Sequence, residues 1–231
     1  MFLNTSYQRY LLADTNPDLI NLYKQLVAER ESFMDYCKRL FNSRNNCAAR
    51  YYALRTEFNG TDEIRRRSAL FLYLNRHCYN GLCRYNSRGE FNTPFGRYVK
   101  PYFPRREMER FVLAAARAKF EHAGFHQTMG RARRGDIVYC DPPYAPLSGT
   151  AYFTDYHSGG FSWEEQVQLT ADAARAADRG VQVVISNHDT EAIRALYREA
   201  GAKLTGFRVR RTISCDVDRR EKVGELLAVF G

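Results

Sequence analysis

The sequence predicts an α/β layer fold, and three stretches carry that expectation. The C-terminal third alternates strand-like and helix-like segments with cap and turn signals between them. An apolar run, Ile137-Val138-Tyr139-Cys140, ends at a carboxylate in Asp141-Pro142-Pro143-Tyr144. Near the start, Arg9-Tyr10-Leu11-Leu12-Ala13 reads as a strand that ends at Asp14 and turns through Asn16-Pro17 into a helix. In open α/β sheets ligands lie beyond the carboxyl ends of strands, so acids at strand ends are candidate site residues.

Composition bounds the class of protein. The 231 residues are 45% hydrophobic, enough for one sizeable domain or a domain with a smaller companion. Lys and Arg number 35 against 26 Asp and Glu, a net charge of +9, which suits a polyanionic partner such as nucleic acid or an anionic membrane. No stretch approaches the roughly 18 uninterrupted apolar residues of a membrane span, and the first residues lack the pattern of a signal peptide. A soluble, cytoplasmic protein is expected. Cys37, Cys47, Cys78, Cys83, Cys140 and Cys215 are scattered without a CxxC pair, which reads as reduced thiols. His122 and His126 stand four apart, but no further ligand follows at metal spacing, so no metal is expected.

Taken in order, the strand ending at Asp14 is followed by a helix from about Asp18. Asp14 suits either a ribose hydroxyl pair or a helix N-cap, and spacing does not decide between them. Helical spacing continues through residue 58, interrupted near Asn42–Asn46, and a further helix over Arg65–Leu74 opens with three arginines expected on a solvated face. From Asn75 to Tyr98 the periodicity lapses into loop and hairpin. Between Arg76 and Lys100, five basic residues face one acid, Glu90, and aromatics recur every few positions. That mixture suits phosphate contacts with base stacking, and equally a large polar surface loop. Pro101–Pro104 reads as a linker, and a helix is predicted from about Arg106 to His122. Residues Ala145 to Gly160, with Tyr152, Phe153 and Tyr156 among small residues, form either a closing loop or an ordinary connection. Ser162 and Glu165 make a capping box for a helix stopped by Gly180. Val181–Ile185 is a buried strand, Asp189 caps a helix ended by Gly201, and Lys203–Arg210 and Glu225–Phe230 are the final strands, joined by a charged stretch.

The Asp141-Pro142-Pro143-Tyr144 run is a site rather than a turn. Its prolines fix two φ angles and remove two donors, presenting carbonyl acceptors beside a carboxylate in a preset geometry. Tyr144 adds a flat aromatic face. A planar guest with an exocyclic amine, such as adenine, fits that set.

These residues, with the block FLYLNRHCYNGLCRYNSRGEFNTPFGRY from Phe71 to Tyr98, the strand end LLADTNPDLI and the segment VVISNHDT, closely resemble the Dam family of DNA adenine methyltransferases across nearly the whole chain. The resemblance implies a Rossmann-like methyltransferase sheet, formed by residues 1–16 and 105–231, with an inserted helical and hairpin target-recognition domain over 17–104. It implies direct in-line methyl transfer from S-adenosylmethionine to the amine of an adenine flipped out of double-stranded DNA, in GATC, without a covalent enzyme intermediate or a metal. Asp141 and the carbonyl of Pro142 would hold the amine, Pro143 would fix the loop and Tyr144 would stack on the base. Asp14 matches the family's cofactor acid, and Asp141 would also border the cofactor. Tyr79 matches the residue that wedges into the duplex. Leu82, Arg84 and Pro94 match base-edge readers, with Arg84 the guanine reader, and Arg76, Asn80 and Asn86 match their neighbours or phosphate contacts. A monomer is expected.

The chain also departs from the family. Relatives carry an earlier segment with an aromatic-Ala-Gly-Gly-Lys run and a strand ending in an FxGxG-like loop, neither of which occurs here. Their absence would leave the first sheet strand, one wall of the cofactor pocket and a base-reading lysine missing, giving weak cofactor binding. The sequence around Cys215-Asp216-Val217-Asp218 replaces a stretch richer in glycine and serine. The alternative to an enzyme is therefore a truncated, inactive DNA-binding remnant. An RNA or protein methyltransferase is disfavoured by the Asn75–Tyr98 block.

Overall fold

Residues Ser68 to Leu74 are buried on every side of one helix, as the unbroken apolar run Ala69–Leu74 requires. In the computed structural model, which describes residues 2–146, 161–210 and 222–231, this helix is the centre of the first of two units, Met1–Ala123 and Gly124–Gly231. The described residues are mixed α and β. Residues 147–160, which include Tyr152, Phe153 and Tyr156, and residues 211–221, which include the Cys215–Asp218 stretch, lie outside them.

In the first unit, strand β1 (Tyr10–Asp14) leads into helix α1 (Pro17–Glu29). The helix is capped by Asn16, whose Oδ1 accepts from the Asp18 and Leu19 amides at 2.9 and 3.3 Å. The chain breaks at Arg30, where φ is 48°, and continues through α2 (Glu31–Lys38), α3 (Ala48–Gly60) and the central α4 (Ile64–His77). Helices α1, α2 and α3 all pack on α4, joining Leu26, Phe33, Tyr51, Phe58, Phe71 and Leu74 in one apolar core. The expected helix from Arg106 to His122 is instead α5 (Arg105–Ala114), a 3-10 turn (Ala115–Arg117) and strand β2 (Ala118–His122). Its alanines favour helix, but β2 pairs in parallel with β1, Tyr10 opposite Ala118 and Asp14 opposite His122. That register seats Phe120 against Tyr23 and Phe111. Pairing and burial outweigh a helix propensity worth tenths of a kcal/mol per residue, about 0.5 at most for these types.

The three arginines that open α4 are not a solvated face. Arg65 pairs with Glu29, Arg66 with Glu57 and Arg67 with Asp18, each binding α4 to a neighbouring helix. Asp18 is only 4% exposed. Its carboxylate receives Arg67 Nε at 2.5 Å, Arg67 Nη2 at 3.2 Å and the Tyr85 hydroxyl at 2.8 Å. Arg67 also donates to the carbonyls of Phe58 and Thr61 at the end of α3. One buried carboxylate therefore joins α1, α4, the end of α3 and the segment after α4.

In the second unit, α6 (Phe125–Arg131) precedes β3 (Ile137–Cys140), and the strands run β3-β4-β6-β5. β3 and β4 (Gln182–His188) are parallel, whereas β6 (Lys222–Phe230) is antiparallel to β4 and to β5 (Lys203–Arg210). Helix α7 (Trp163–Asp178) carries the expected capping box, with Ser162 N donating to Glu165 and Glu165 N to Ser162 Oγ. Helix α8 (Glu191–Glu199) is capped by Thr190 rather than by Asp189, whose carboxylate is taken by Arg194. Leu169, Ala173, Val183, Ile185, Ile193 and Phe230 fill the core between these helices and the sheet.

Two outcomes follow from the first unit. Asp18→Ala strands the Arg67 guanidinium and lowers unfolding free energy by about 3 kcal/mol, whereas Tyr85→Phe, which removes one hydrogen bond, lowers it by about 1 kcal/mol, both read by urea unfolding. His77 is 1% exposed and hydrogen-bonds the Tyr73 carbonyl at 2.8 Å. Burial pushes its ring down to about 4, against an ordinary value of 6.5. The fold therefore favours the neutral ring. Stability is full above about pH 6.5 and falls by up to about 3 kcal/mol as pH drops toward 4, a slope that His77→Gln flattens in acid unfolding curves.

Candidate functional site

Strand β3 delivers its carboxylate outward. Asp141 is exposed just past the strand end, and the parallel register with β4, Cys140 opposite Ile185, brings the next β4 residue, Ser186, beside it. The Ser186 hydroxyl donates to Asp141 Oδ1 at 2.9 Å and receives the Tyr139 hydroxyl at 3.1 Å. One carboxylate oxygen is thus held from inside the sheet while the group stays open to solvent. Tyr144 is half-buried, its ring edge-on to His188 at 5.0 Å and 79°. Partial burial, with the Asp141 carboxylate nearby, raises the Tyr144 phenol above its ordinary value, so the ring is neutral near pH 7. Burial also pushes the Cys140 thiol up to about 12, which makes it an inert packing group. Ser186 lies inside the segment VVISNHDT, where spacing assigns it no role. Only strand pairing shows that it touches Asp141.

In the first unit, Asp14 closes β1, half-buried, and its Oδ1 accepts from the Asn16 amide at 2.7 Å. The capping role left open by spacing falls to Asn16. The Asp14 charge reaches its neighbours: the Tyr23 phenol is raised by burial and then by Asp14, and the Cys83 thiol is raised by burial foremost, with Asp14 adding to it.

The Asn75–Tyr98 block is helical at its start, since Asn75, Arg76 and His77 complete α4. Thereafter it is a hairpin-like excursion pinned from beneath. Isolated bridges join Cys78 to Phe95 and Tyr85 to Phe91. The Asn59 side chain acts as a strand partner, accepting from Phe91 N at 2.9 Å and donating to Phe91 O at 3.1 Å. Thr93 donates to Leu82 O, while its own carbonyl receives the Tyr51 hydroxyl and Arg55. Gly96 donates to His77 O, and a Cβ there would lie 2.6 Å from Cys78 O, so the crossing admits no side chain.

With its underside fixed, the block exposes Tyr79, Leu82, Arg84 and Pro94. Tyr79 N donates to the Pro94 carbonyl at 2.8 Å, which ties two of these residues together. Asn80, at φ 52°, makes the left-handed turn that follows, and its amide donates to the Tyr98 hydroxyl. Arg84 donates from Nε to Asn92 Oδ1 at 2.8 Å, which steadies the guanidinium plane, and sequence reasoning assigned Asn92 no part. Arg76 donates to Tyr102 O and, with Asn80, Tyr98 and Lys100, lines a cleft of about 430 Å³. Asn86 is occupied in a turn: its Oδ1 accepts from the Arg88 and Glu90 amides and its Nδ2 donates to Glu90. Tyr79, Asn80, Leu82, Arg84, Asn86 and Pro94 therefore share one hairpin, with Arg76 on the helix that leads into it.

The two histidines singled out for their spacing do not share a helix. His122 ends β2 with Nε2 3.1 Å from Thr15 O, and His126, in α6, bonds Asp172 at 2.8 Å. Among the described residues no group of three or more His, Cys, Asp or Glu is arranged to hold a metal, and no helix is long and apolar enough to cross a membrane.

Comparison with known proteins bears on what this arrangement does. Residues 1–213 match the family described as D12 class N6 adenine-specific DNA methyltransferase. A DNA adenine methylase from Vibrio cholerae serotype O1 is 50% identical over 231 residues, covering 100% of this chain and 83% of the relative. A DNA adenine methylase from Escherichia coli K12 is 49% identical over 230 residues, covering 100% of this chain and 82% of the relative. One from Serratia marcescens is 50% identical, covering 100% and 85%. With a family match over most of its length and relatives of about half identity along all of it, the chain belongs to the D12 class of N6 adenine-specific DNA methyltransferases.

Proposed function

We propose that the chain transfers a methyl group from S-adenosylmethionine to the exocyclic amine of an adenine flipped out of double-stranded DNA, within GATC. The observation that carries the reading is the exposed Asp141 carboxylate at the end of β3, one oxygen of which is held by Ser186. In this reading Asp141 accepts one amine hydrogen and the Pro142 carbonyl the other, raising electron density at the nitrogen that is to be methylated. Prolines 142 and 143 keep both acceptors in place without reorganisation, and Tyr144 stacks on the base. The methyl donor, when bound, supplies an electrophilic sulfonium methyl. Asp14 fits its ribose: it closes a strand, and the Asn16 amide fixes one carboxylate oxygen, orienting the group. Asp141 borders the cofactor on the methyl side.

Recognition falls to the hairpin. Arg84, held by Asn92, reads guanine N7 and O6. Tyr79 wedges into the duplex. Leu82 and Pro94 contact base edges, while Arg76, Asn80 and Asn86 brace the phosphates or the readers themselves. The catalytic domain of this reading is a Rossmann-like sheet domain built from residues 1–16 and 105–231, and residues 17–104 form the target-recognition domain. The enzyme works as a cytoplasmic monomer, and its net charge of +9 draws it to the DNA backbone.

Two substitutions test the reading. Asp141→Ala abolishes methyl transfer to a GATC duplex, measured with radiolabelled methyl donor, while the duplex dissociation constant stays within a few-fold. Equal transfer by the variant refutes the role of Asp141. Arg84→Ala relaxes preference at one guanine position by about 1–3 kcal/mol, read as transfer to duplexes changed singly at each position.

A further inference from the structure

The Asp141–Tyr144 loop cannot brace itself, because Pro142 and Pro143 have no N–H to donate. What braces it is a pair of buried amides. Gln166 on α7 and Asn187 on β4 are 1% and 0% exposed. Gln166 Nε2 donates to the carbonyl of Pro143 at 3.0 Å, and Asn187 Oδ1 accepts from the amide of Ala145 at 2.9 Å. Between them, Asn187 Nδ2 donates to Gln166 Oε1 at 3.0 Å. The backbone is thereby gripped on both sides of Tyr144, once through the carbonyl before it and once through the amide after it.

The orientation of both amides is determined by this circuit. The Pro143 carbonyl only accepts and the Ala145 amide only donates, so Gln166 must point its NH2 at the loop and Asn187 its oxygen. The ends that face each other are then a donor and an acceptor. Asn187 is completed by donation to the Tyr197 hydroxyl at 2.9 Å and by acceptance from the His188 amide at 2.9 Å, and the backbone carbonyl of Gln166 accepts from the Thr170 hydroxyl one turn along α7. His188 adds a third hold, with Nδ1 2.6 Å from the Ala145 carbonyl while its ring meets Tyr144. A core position usually prefers an apolar side chain, and two buried amides hydrogen-bonded to each other and to the loop are an expensive way to fill volume.

We propose that Gln166 and Asn187 are positioning residues for the transfer reaction: their linked amides set the place of the Tyr144 ring and of the acceptors that precede it, and so govern the chemical step rather than duplex affinity. The proposal rests on the reading of Asp141–Tyr144 as the transfer site. Misplacing reacting groups by about 1 Å costs on the order of 100-fold in rate.

The test compares the full chain with Gln166→Met, which keeps volume and loses the donor to Pro143, and Asn187→Asp, which keeps the acceptor for Ala145 and loses the donor to Gln166. Both are expected to lower kcat on a GATC duplex by about 100-fold with KM for DNA within threefold. With 2-aminopurine at the target position, which reads stacking of the flipped base without turnover, both are expected to alter the emission of the bound complex while duplex affinity is kept. Wild-type kcat and emission in Gln166→Met, accompanied only by a lower Tm, overturn the proposal and leave the amides as packing groups. Should Asn187→Asp not fold, Gln166→Met decides alone. Asp141→Ala separates the two readings: transfer at the wild-type rate in that variant removes the site itself, whereas an inactive Asp141→Ala beside a fully active Gln166→Met removes only the clamp.

Discussion

Two consecutive prolines after a strand-terminal carboxylate impose a constraint that the second unit is built to meet. A segment with no amide hydrogens to donate at Pro142 and Pro143 can be held only through its carbonyls, its flanking amides and its side chains. Each hold is present: Ser186 on the Asp141 carboxylate, Gln166 on the Pro143 carbonyl, Asn187 on the Ala145 amide and His188 on the Ala145 carbonyl. Three of these residues are consecutive on β4, so parallel pairing of β4 with β3 is what brings them to the loop. The apolar packing of α7 and α8 on that sheet in turn fixes the position of Gln166 and of Tyr197. Rigidity at the loop is therefore supplied by the sheet and by α7 rather than by the loop's own hydrogen bonds.

The first unit solves a different problem, which is to hold an irregular, polar segment still. The hairpin after α4 has little regular pairing, and its stability comes from side chains that imitate a backbone or reach beneath it. Asn59 stands in for a strand at Phe91, Tyr51 and Arg55 hold Thr93, and Tyr85 enters the Asp18–Arg67 pair. Burying Asp18 is tolerable because both of its carboxylate oxygens are met by donors, and its charge by the Arg67 guanidinium. The same ion pair secures the helices and the hairpin, so the scaffold and the presented residues share one stabilising interaction.

Much of this was legible in the sequence, for identifiable reasons. The strand ends at Asp14 and Asp141, the capping box at Ser162 and the helix over Arg65–Leu74 were readable because periodicity and cap chemistry are local properties. Strand β2 was not, because Ala118–His122 directly follows the alanines 114–116 at the end of a helical run and becomes a strand only by pairing with residues more than a hundred positions earlier. The arginines of α4 looked like a solvent face because their carboxylate partners, Glu29, Glu57 and Asp18, lie on other helices. The cap expected at Asp189 falls one residue on, to Thr190, because the Asp189 carboxylate is taken by Arg194. Gln166 lies in no motif, and Ser186 and Asn187 lie in VVISNHDT without a role that spacing assigns, so the meaning of all three depends on register with β3 and on the packing of α7.

Arg84 has a further consequence. A free arginine surrenders considerable rotamer freedom when it settles on a base, but the bond from its Nε to Asn92 has already surrendered part of that freedom. In the proposed reading, encounter with DNA is governed by overall charge and is much the same for all sequences. The held guanidinium then acts after encounter, lengthening the residence time on the correct sequence and leaving the rate of arrival unchanged.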